Sequence, residues 1–561
     1  MSTEPQGVEA DRQLIREAHA KGPAATALTY AKLSGPGWLQ SAITLGGGSL
    51  SSSLYLGVLA GFSLLWLQPF AMILGIVMLS AIGYVTLSTG ERPFRAINRH
   101  VNPVLGWGWA LATLAANMVW VLPQYSLANG VLEQNLIPQL FGSEPVANDM
   151  STRIGIAIVI LVVTTAITWA YDSGSRGIKI YELFLKIMVA VIVACFIGVV
   201  ISLAQNEALD WGAIFGGFVP DISTIFNPAP TYQPLLAAVD EAHRDYWSNH
   251  LVSKQQDVLI SAAATAVGIN MTFLFPYSLL KRGWGKEFRG LAIFDLSTGM
   301  LIPFVLATSC VVIASASQFH TVPEAGILDG TVIEGKQAGE YQTLLKNRVL
   351  AADPSLSPER VAAKVATIPP SEQRLAASLV TRDAQALSKA LAPLMGAGGA
   401  NLVFGFGVLA MALSTITLLM LISGFVICEM LGLPPTGWPY RLGTLASATG
   451  ILWPILWQGE ALFWLAITTS IVGFTLLPIA YLAFFFLMNQ KKLLGDNLPT
   501  GGARIVWNLL MGVAALLATV GSVFMLWKKQ QEVGIAIGIG FGVLVLLGQF
   551  YKKSTERQSE G

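Results

Sequence analysis

The most constraining feature of the sequence is an apolar stretch, residues 34–54, with three consecutive glycines near its centre. Each glycine weakens a helix by roughly 1 kcal/mol relative to alanine, and nothing near Gly46, Gly47 and Gly48 compensates. A helix that unwinds inside a bilayer leaves N–H and C=O groups unpaired, which is tolerated only where they face protein or a water-filled cavity. Such broken helices form substrate sites in secondary transporters. The alternative is a membrane helix whose glycines serve close packing.

Composition places the chain among polytopic membrane proteins, because 53% of its residues are hydrophobic and only 12% are charged. The net charge of +1 gives no indication of a nucleic-acid partner. Cys195, Cys310 and Cys428 all fall in apolar segments, which argues against a disulfide framework or a thiolate metal site. We expect no cofactor and no resident metal. The N-terminal 22 residues are polar and are not typical of a signal peptide.

Apolar runs of membrane-spanning length recur about twelve times, so the sequence predicts about 12 transmembrane helices. The predicted organisation is a cytoplasmic tail (1–28), helices 1–5 (29–204), an outer loop (205–256), helices 6–7 (257–318), an outer helical insertion (319–395), helices 8–10 (396–488), a cytoplasmic loop (489–504), helices 11–12 (505–551) and a cytoplasmic tail (552–561). Lys and Arg concentrate in alternate short loops, which predicts that both termini are cytoplasmic. Lys528 and Lys529 fall on the outer side and do not fit this pattern. We expect the inner membrane of a prokaryote.

The two outer insertions carry further patterns. Ser357 and Ser371 are each followed by residues that favour a helix start, so both are predicted N-caps of a helical cap over the outer mouth. His243, Asp245 and His250 could bind a metal ion, although a solvated loop is the favoured interpretation of this cluster.

A second break is predicted five spans after the first. Gly268, Asn270, Thr272 and Pro276 interrupt the sixth apolar run, and we expect the discontinuity just before the proline. An ordinary proline kink is the alternative. Two breaks five helices apart are typical of the LeuT-type fold, an all-α architecture of two inverted five-helix repeats with helices 1 and 6 broken.

Several short motifs resemble the natural resistance-associated macrophage protein (NRAMP) family of metal transporters. They are Gly-Pro-Gly-Trp-Leu at 35–39 with Ser41, Ser-Ala-Ile-Gly-Tyr-Val-Thr-Leu-Ser-Thr-Gly at 80–90, Phe-Asp at 294–295, Ser-Thr-Ile-Thr at 414–417 and Lys-Lys-Leu-Leu-Gly at 491–495. Their order and spacing cover most of the membrane part but not the outer insertions. The resemblance implies a LeuT-type transporter that works by alternating access.

The metal ligands that the resemblance implies are missing. The family uses an aspartate and an asparagine from helix 1 and a methionine from helix 6, and here Gly46 and Ser49 occupy the first two positions. Asn270 matches the methionine, although Met271 is adjacent and a one-residue shift remains open. Tyr277 matches the family's helix-6 histidine. All five histidines lie outside the predicted spans, and we expect no acidic residue at mid-membrane depth.

The candidate substrate site consists of neutral polar residues and backbone at the two breaks. Its predicted members are Gln40, Thr44, Gly46, Gly47, Gly48, Ser49, Ser51, Asn270, Met271, Thr272, Ser414 and Thr417, with Asn117, Gln124 and Tyr125 as further pocket residues or as interhelical contacts. A dehydrated divalent cation would find no counter-charge among them. The start of the second half of helix 1 instead favours an anion or carboxylate, because free amides and the positive dipole end lie there.

Three functions follow from this inventory. The first is an NRAMP-related secondary transporter of a neutral, zwitterionic or anionic small solute. The second is a divalent metal transporter that keeps an ion such as magnesium hydrated and uses neutral oxygens. The third is a sensor or scaffold that transports nothing. An enzyme is not indicated, since no nucleophile–base–acid set or phosphate loop lies in the spans. The expected partners are the substrate and the lipid bilayer, without nucleic acid; the oligomeric state stays open.

Overall fold

A computed structural model of the chain describes residues 6–141, 149–172, 175–207, 209–332, 336–382, 397–457 and 462–560, and these ranges contain helices and loops but no strands. The first helices are α1 (Gln6–Lys21), α2 (Pro23–Leu33), α3 (Pro36–Thr44), α4 (Gly47–Ala60), α5 (Leu67–Thr89), α6 (Pro103–Val131), α7 (Met150–Ala170), α8 (Ser175–Gln205) and α9 (Trp211–Gly216). They are followed by α10 (Glu241–Ala266), α11 (Ile269–Lys281), α12 (Arg289–Gly299), α13 (Leu301–Phe319), α14 (Lys336–Ala352), α15 (Pro358–Val365) and α16 (Pro370–Ser378). The last are α17 (Ala397–Met430), α18 (Gly437–Thr444), α19 (Leu462–Met488) and α20 (Gly501–Glu560).

Nine helical stretches in the described ranges are long and apolar enough to cross a membrane, and α3 with α4 makes a tenth if the bent pair is one span. The last stretch, Gly501–Phe550, contains a non-helical residue, Gln531 at φ 48°, which separates the two predicted final helices. The predicted ninth span is too short to be among the nine, since it consists of α18 followed by a 3-10 helix over Leu445–Leu452. The chain is therefore an all-α integral membrane protein.

The first span is broken where the glycines lie. Between α3 and α4 only Leu45 and Gly46 leave the helix, and the two halves are bent by 52°. Gly47 and Gly48 are already the first residues of α4. This position tolerates them because first-turn amides need no intrahelical acceptor.

The sixth span is also broken, but not where the sequence predicts. Its gap is Val267 and Gly268, both in extended conformation, whereas Pro276 lies inside α11. The prediction of a discontinuity just before the proline is therefore wrong. α11 continues through Pro276 although the proline lacks an N–H donor, and Gly268, two residues after the end of α10, adopts the extended conformation of the break.

The outer half of this span is longer than predicted. α10 begins at Glu241 rather than near residue 257, because the Asp240 side chain accepts a hydrogen bond from the amide of Ala242 (3.0 Å) and caps the helix. His243, Asp245 and His250 therefore lie on a helix and not on a loop. Within the described ranges no group of three or more His, Cys, Asp or Glu residues could hold a metal ion.

The second outer insertion contains the predicted helices. α15 begins directly after Ser357, as predicted. α16 begins at Pro370 with Pro369 at its N-cap, so the predicted cap at Ser371 is wrong: proline supplies the first-turn φ there, and Ser371 is already helical. Residues 383–396 of this insertion lie outside the described ranges.

The two lysines that do not fit the charge pattern have a partner. Lys528 Nζ lies 2.8 Å and Lys529 Nζ 2.6 Å from the carboxylate oxygens of Asp257 on α10. The carboxylate offsets part of their charge, so both lysines can lie at the end of a span.

Candidate functional site

The two helix breaks lie side by side and enclose a small cavity. The Thr44 hydroxyl at the end of α3 donates to the Ala266 carbonyl at the end of α10 (3.1 Å), which holds the breaks together. About 40 Å³ of the cavity is open to the centres of water molecules. Its lining is Ile43, Gly46, Gly48, Ser49, Trp120, Pro123, Gln124, Ala264, Thr265, Gly268, Asn270, Met271, Thr415, Leu419, Thr469 and Ser470.

On the helix 1 side, the unwound backbone is held by side chains. The Gly47 amide donates to Gln124 Oε1 (2.9 Å), and the Ser49 hydroxyl donates to the Thr44 carbonyl across the gap. A Cβ on Gly46 would collide with the Thr415 hydroxyl, and one on Gly47 would collide with Leu127. Glycine is therefore required here for space as much as for conformation.

On the helix 6 side, Asn270 and Met271 both line the cavity. Asn270 Oδ1 accepts from the Met271 amide (2.8 Å), while its Nδ2 is buried without a partner. Met271 Sδ accepts from the Thr44 hydroxyl (3.3 Å) and from the Gly268 amide (3.4 Å).

The structure brings together part of the predicted site. Gly46, Gly48, Ser49, Asn270 and Met271 line the cavity, as does Gln124. Thr44 and Gly47 adjoin it through the hydrogen bonds described above.

The other predicted residues are buried outside the lining. They are Gln40, Ser51, Asn117, Tyr125, Thr272, Ser414 and Thr417. Thr272 accepts from the Trp109 indole (2.9 Å), Ser414 donates to the Ala42 carbonyl (3.1 Å) and Asn117 donates to Ser423 (3.1 Å). These bonds join neighbouring helices. They favour the interpretation of these residues as interhelical contacts over a role in the pocket.

Sequence reasoning missed five polar or aromatic lining residues: Trp120, Thr265, Thr415, Thr469 and Ser470. The Thr415 hydroxyl is buried without a partner, and its position inside the Ser-Thr-Ile-Thr motif was an available signal. Thr265 and Ser470 lie in ordinary apolar helices, and no sequence pattern distinguishes them from packing residues.

The lining contains no charged side chain and no histidine or cysteine among the described residues. The described spans carry four buried carboxylates, and all of them lie outside this lining and are engaged. Glu133 accepts from the Asn129 side chain (2.7 Å), and Asp257 pairs with Lys528 and Lys529. Asp295 accepts from the amides of Gly35 (3.0 Å) and Gly37 (2.6 Å), and Glu429 pairs with Arg92 (3.2 Å). The site can therefore offer a substrate hydrogen bonds and helix dipoles but no formal charge.

Comparison with known proteins identifies the fold. A search of the curated proteins finds no match. Among solved structures, a mutant of the Eremococcus coleocola manganese transporter matches with a TM-score of 0.60 and 13% identity, covering 94% of this chain and 95% of that one. The same transporter in complex with an aromatic bis-isothiourea substituted compound matches with a TM-score of 0.61 and 15% identity over 95% of each chain.

These structures support the LeuT-type fold predicted from the two breaks. The family model described as natural resistance-associated macrophage protein-like matches residues 37–347 and 361–528. Members of that family are membrane transporters and not enzymes. The chain belongs to the NRAMP family of membrane transporters.

Proposed function

We propose that the protein is a secondary transporter that works by alternating access and binds a neutral, zwitterionic or anionic small solute in the cavity between its two helix breaks. One observation carries the proposal: the lining supplies neither a carboxylate nor an imidazole nor a thiolate. Divalent cations need such ligands, because desolvation in an apolar surrounding is otherwise uncompensated.

Met271 is the one soft donor in the lining, and its sulfur already accepts two hydrogen bonds. A single thioether does not replace the carboxylate that a hard or borderline ion requires. The first-turn amides of α4 and α11 also present their positive ends to the cavity and disfavour a cation.

A hydrated magnesium ion is the second candidate, since neutral oxygens could hold its water shell. Its water shell does not change the net charge of the ion, so the first-turn amides of α4 and α11 disfavour it as well. A small solute is therefore the favoured substrate, and the hydrated magnesium ion is the second candidate. No observation favours a sensor or scaffold without transport.

The proposal is tested by calorimetry and proteoliposome uptake with purified protein. We expect no saturable binding of Mn²⁺ or Mg²⁺, and saturable uptake of at least one solute from a panel of small carboxylates, inorganic oxyanions, amino acids and urea. Thr415→Val should weaken that uptake, because it removes a cavity hydroxyl. Thr468→Val is the matched control on the exposed side of α19, where the hydroxyl bonds only to its own helix. Saturable Mn²⁺ binding that Asn270→Leu abolishes would overturn the proposal.

A further inference from the structure

Around the cavity, hydrogen-bond donors remain without strong partners, whereas several acceptors are already engaged. Two side-chain amides have their orientation set by the backbone: Gln124 Oε1 accepts from Gly47 and Asn270 Oδ1 accepts from Met271. The NH₂ groups of these two side chains are therefore left to bind a ligand. Asn270 Nδ2 has no partner, and Gln124 Nε2 makes only a 3.4 Å bond to the Trp120 carbonyl of its own helix.

Three carbonyl groups beside the helix breaks already accept hydrogen bonds from side-chain hydroxyls. The Thr44 carbonyl accepts from the Ser49 hydroxyl, and the Ala266 carbonyl accepts from the Thr44 hydroxyl (3.1 Å). The Thr265 carbonyl also accepts from Ser49 (3.5 Å). A cation that entered here would have to compete with these hydroxyls for the same oxygens.

Two helices start at the cavity. α4 begins at Gly47 and α11 at Ile269, and the first-turn amides of each have no intrahelical acceptor. Helix starts attract anions through these amides and through the dipole. An independent observation points to a ligand at the same place: Asn270 is 1% exposed and Thr415 is 5% exposed, and each presents an unpartnered polar atom in the lining.

Size limits the ligand further. The space open to the centres of water-sized groups is about 40 Å³, so the cavity suits a small ligand. Formate, nitrate and acetate are small oxyanions of three or four non-hydrogen atoms.

We propose that the substrate of this site is a small monovalent oxyanion of three or four non-hydrogen atoms, which accepts hydrogen bonds from Asn270 Nδ2, the Thr415 hydroxyl and the amides of Gly48 and Ser49. This inference rests on the proposed function and narrows its substrate class. No lining side chain carries a positive charge, so the helix starts and these donors supply the stabilisation.

The test uses purified protein and proteoliposomes with formate, nitrate and acetate as probes, and with urea, glycine and Mn²⁺ for comparison. We expect saturable binding of at least one oxyanion, with the three probes competing for one site. Asn270→Leu should weaken that binding at least tenfold, while Thr468→Val should leave it unchanged.

A second variant separates loss of binding from loss of folding. Asn270→Asp keeps the shape of the side chain and the acceptor for the Met271 amide, but it exchanges the free NH₂ for a carboxylate oxygen. It should abolish oxyanion binding and create binding of Mn²⁺, with an unchanged elution profile.

The outcomes distinguish the two proposals. Saturable binding of urea or glycine without any oxyanion would overturn the inference and leave the proposed function standing. Mn²⁺ binding by the wild-type protein would overturn both. Failure of all three oxyanions to bind, or their undiminished binding to Asn270→Asp, would overturn the inference alone.

Discussion

Asp295 on α12 is the buried carboxylate that fixes the start of the first span. It accepts from the Ser34 hydroxyl and from the amides of Gly35 and Gly37, which precede or open α3. A carboxylate that accepts several backbone bonds acts as a strong N-cap, and its removal would leave these amides buried without partners. At the scale of one residue, this contact ties the inner half of the broken helix to the second repeat.

We therefore expect Asp295→Ala to lower the melting temperature of the purified protein by clearly more than Asp149→Ala does. Asp149 is an exposed N-cap of α7, whose loss costs about 1 kcal/mol because water replaces it. The buried site should cost about 2–3 kcal/mol. Equal shifts for the two variants would show that Asp295 contributes no more than a surface cap.

The extent to which the site could be predicted also depends on single positions. The residues at the breaks, Gly46, Ser49 and Asn270, were found because an interrupted apolar run is visible in the sequence. On α17 the Ser-Thr-Ile-Thr motif predicts Ser414 and Thr417 as site residues, but the helix face that lines the cavity carries Thr415. One step along a helix turns the side chain by about 100°, and the sequence does not state which face meets the breaks.

At the scale of elements, the two broken spans show what can be derived from local patterns. Three consecutive glycines predict the first break correctly, whereas Pro276 predicts the second break too far along the chain, beyond Gly268. Helix propensity does not decide between these positions; the cross-gap bonds of Thr44 and Met271 do, and they exist only in the folded protein. The extension of α10 to Glu241 was missed since its sequence is polar, although Asp240 is a recognisable cap.

The opening of α4 should not tolerate a branched side chain. A Cβ on Gly48 would stand 2.8 Å from Thr265 Cγ2 and 3.3 Å from Ser470 Oγ, both in the cavity lining. Gly48→Val should therefore reduce substrate affinity at least tenfold in the uptake assay while the protein still folds. Gly155→Val is the matched control, because that glycine of α7 has open space around it. Normal affinity in Gly48→Val would place the substrate elsewhere.

The helices of the outer insertion form an element that is bound to the sixth span through Glu372. This carboxylate on α16 accepts from the Trp247 indole (2.8 Å) and from the Arg348 guanidinium (2.7 and 3.0 Å). Burial raises the pKa of Glu372, but the bonds from Arg348 and Trp247 outweigh burial and lower it below its ordinary value of 4.5. A lowered pKa means that the ionised form stabilises the fold above about pH 4.5, and that this stabilisation is lost as the pH falls through the folded-state value.

Glu372→Gln should accordingly lower the melting temperature at pH 7, where it leaves the Arg348 charge unpaired at a cost of about 3 kcal/mol. The difference from wild type should shrink as the pH is lowered below 4.5, since the wild-type carboxylate then becomes neutral as well. Glu359→Gln on neighbouring α15 is the control, because that side chain is solvent-exposed. A difference that stays constant down to pH 3.5 would contradict this account of the contact.

At the scale of the whole molecule, the outer segments are joined to both broken spans. The Tyr55 hydroxyl on α4 donates to the Arg382 carbonyl (2.8 Å), and Tyr232 of the first outer loop donates to the Val58 carbonyl (3.2 Å). With the Trp247–Glu372 bond, these contacts connect the outer halves of both broken helices to one cap. Polar composition predicts the two insertions, and the helix-start patterns near Ser357 and Ser371 predict helices in the second. Their attachment is not predicted, because it depends on contacts between residues more than 100 positions apart.

The predicted topology places residues 281–289 in the cytoplasm and the insertion after α13 outside. We expect single cysteines at Arg289 and Glu359, in a variant without Cys195, Cys310 and Cys428, to react with a membrane-impermeant maleimide from opposite sides of the membrane. Glu359 should react in intact cells, and Arg289 only after permeabilisation, because the Lys and Arg of its loop hold it on the cytoplasmic side. Labelling of both from the same side would refute the topology.

Transport should not be coupled to protons. A proton relay through a membrane needs ionisable side chains at depth, and the described lining of the cavity contains none. The four buried carboxylates of the described spans are committed to other partners. Asp295 caps α3, Glu429 pairs with Arg92 and Arg95, Asp257 pairs with Lys528 and Lys529, and Glu133 accepts from Asn129. Nitrate is the suitable probe, because it remains unprotonated at neutral pH, and uptake should proceed without a matching pH change inside vesicles that contain a pH-sensitive dye. Vesicles with Asn270→Leu give the background. A dye response that follows nitrate uptake mole for mole would show that protons move with the substrate and that an ionisable group outside this cavity carries them.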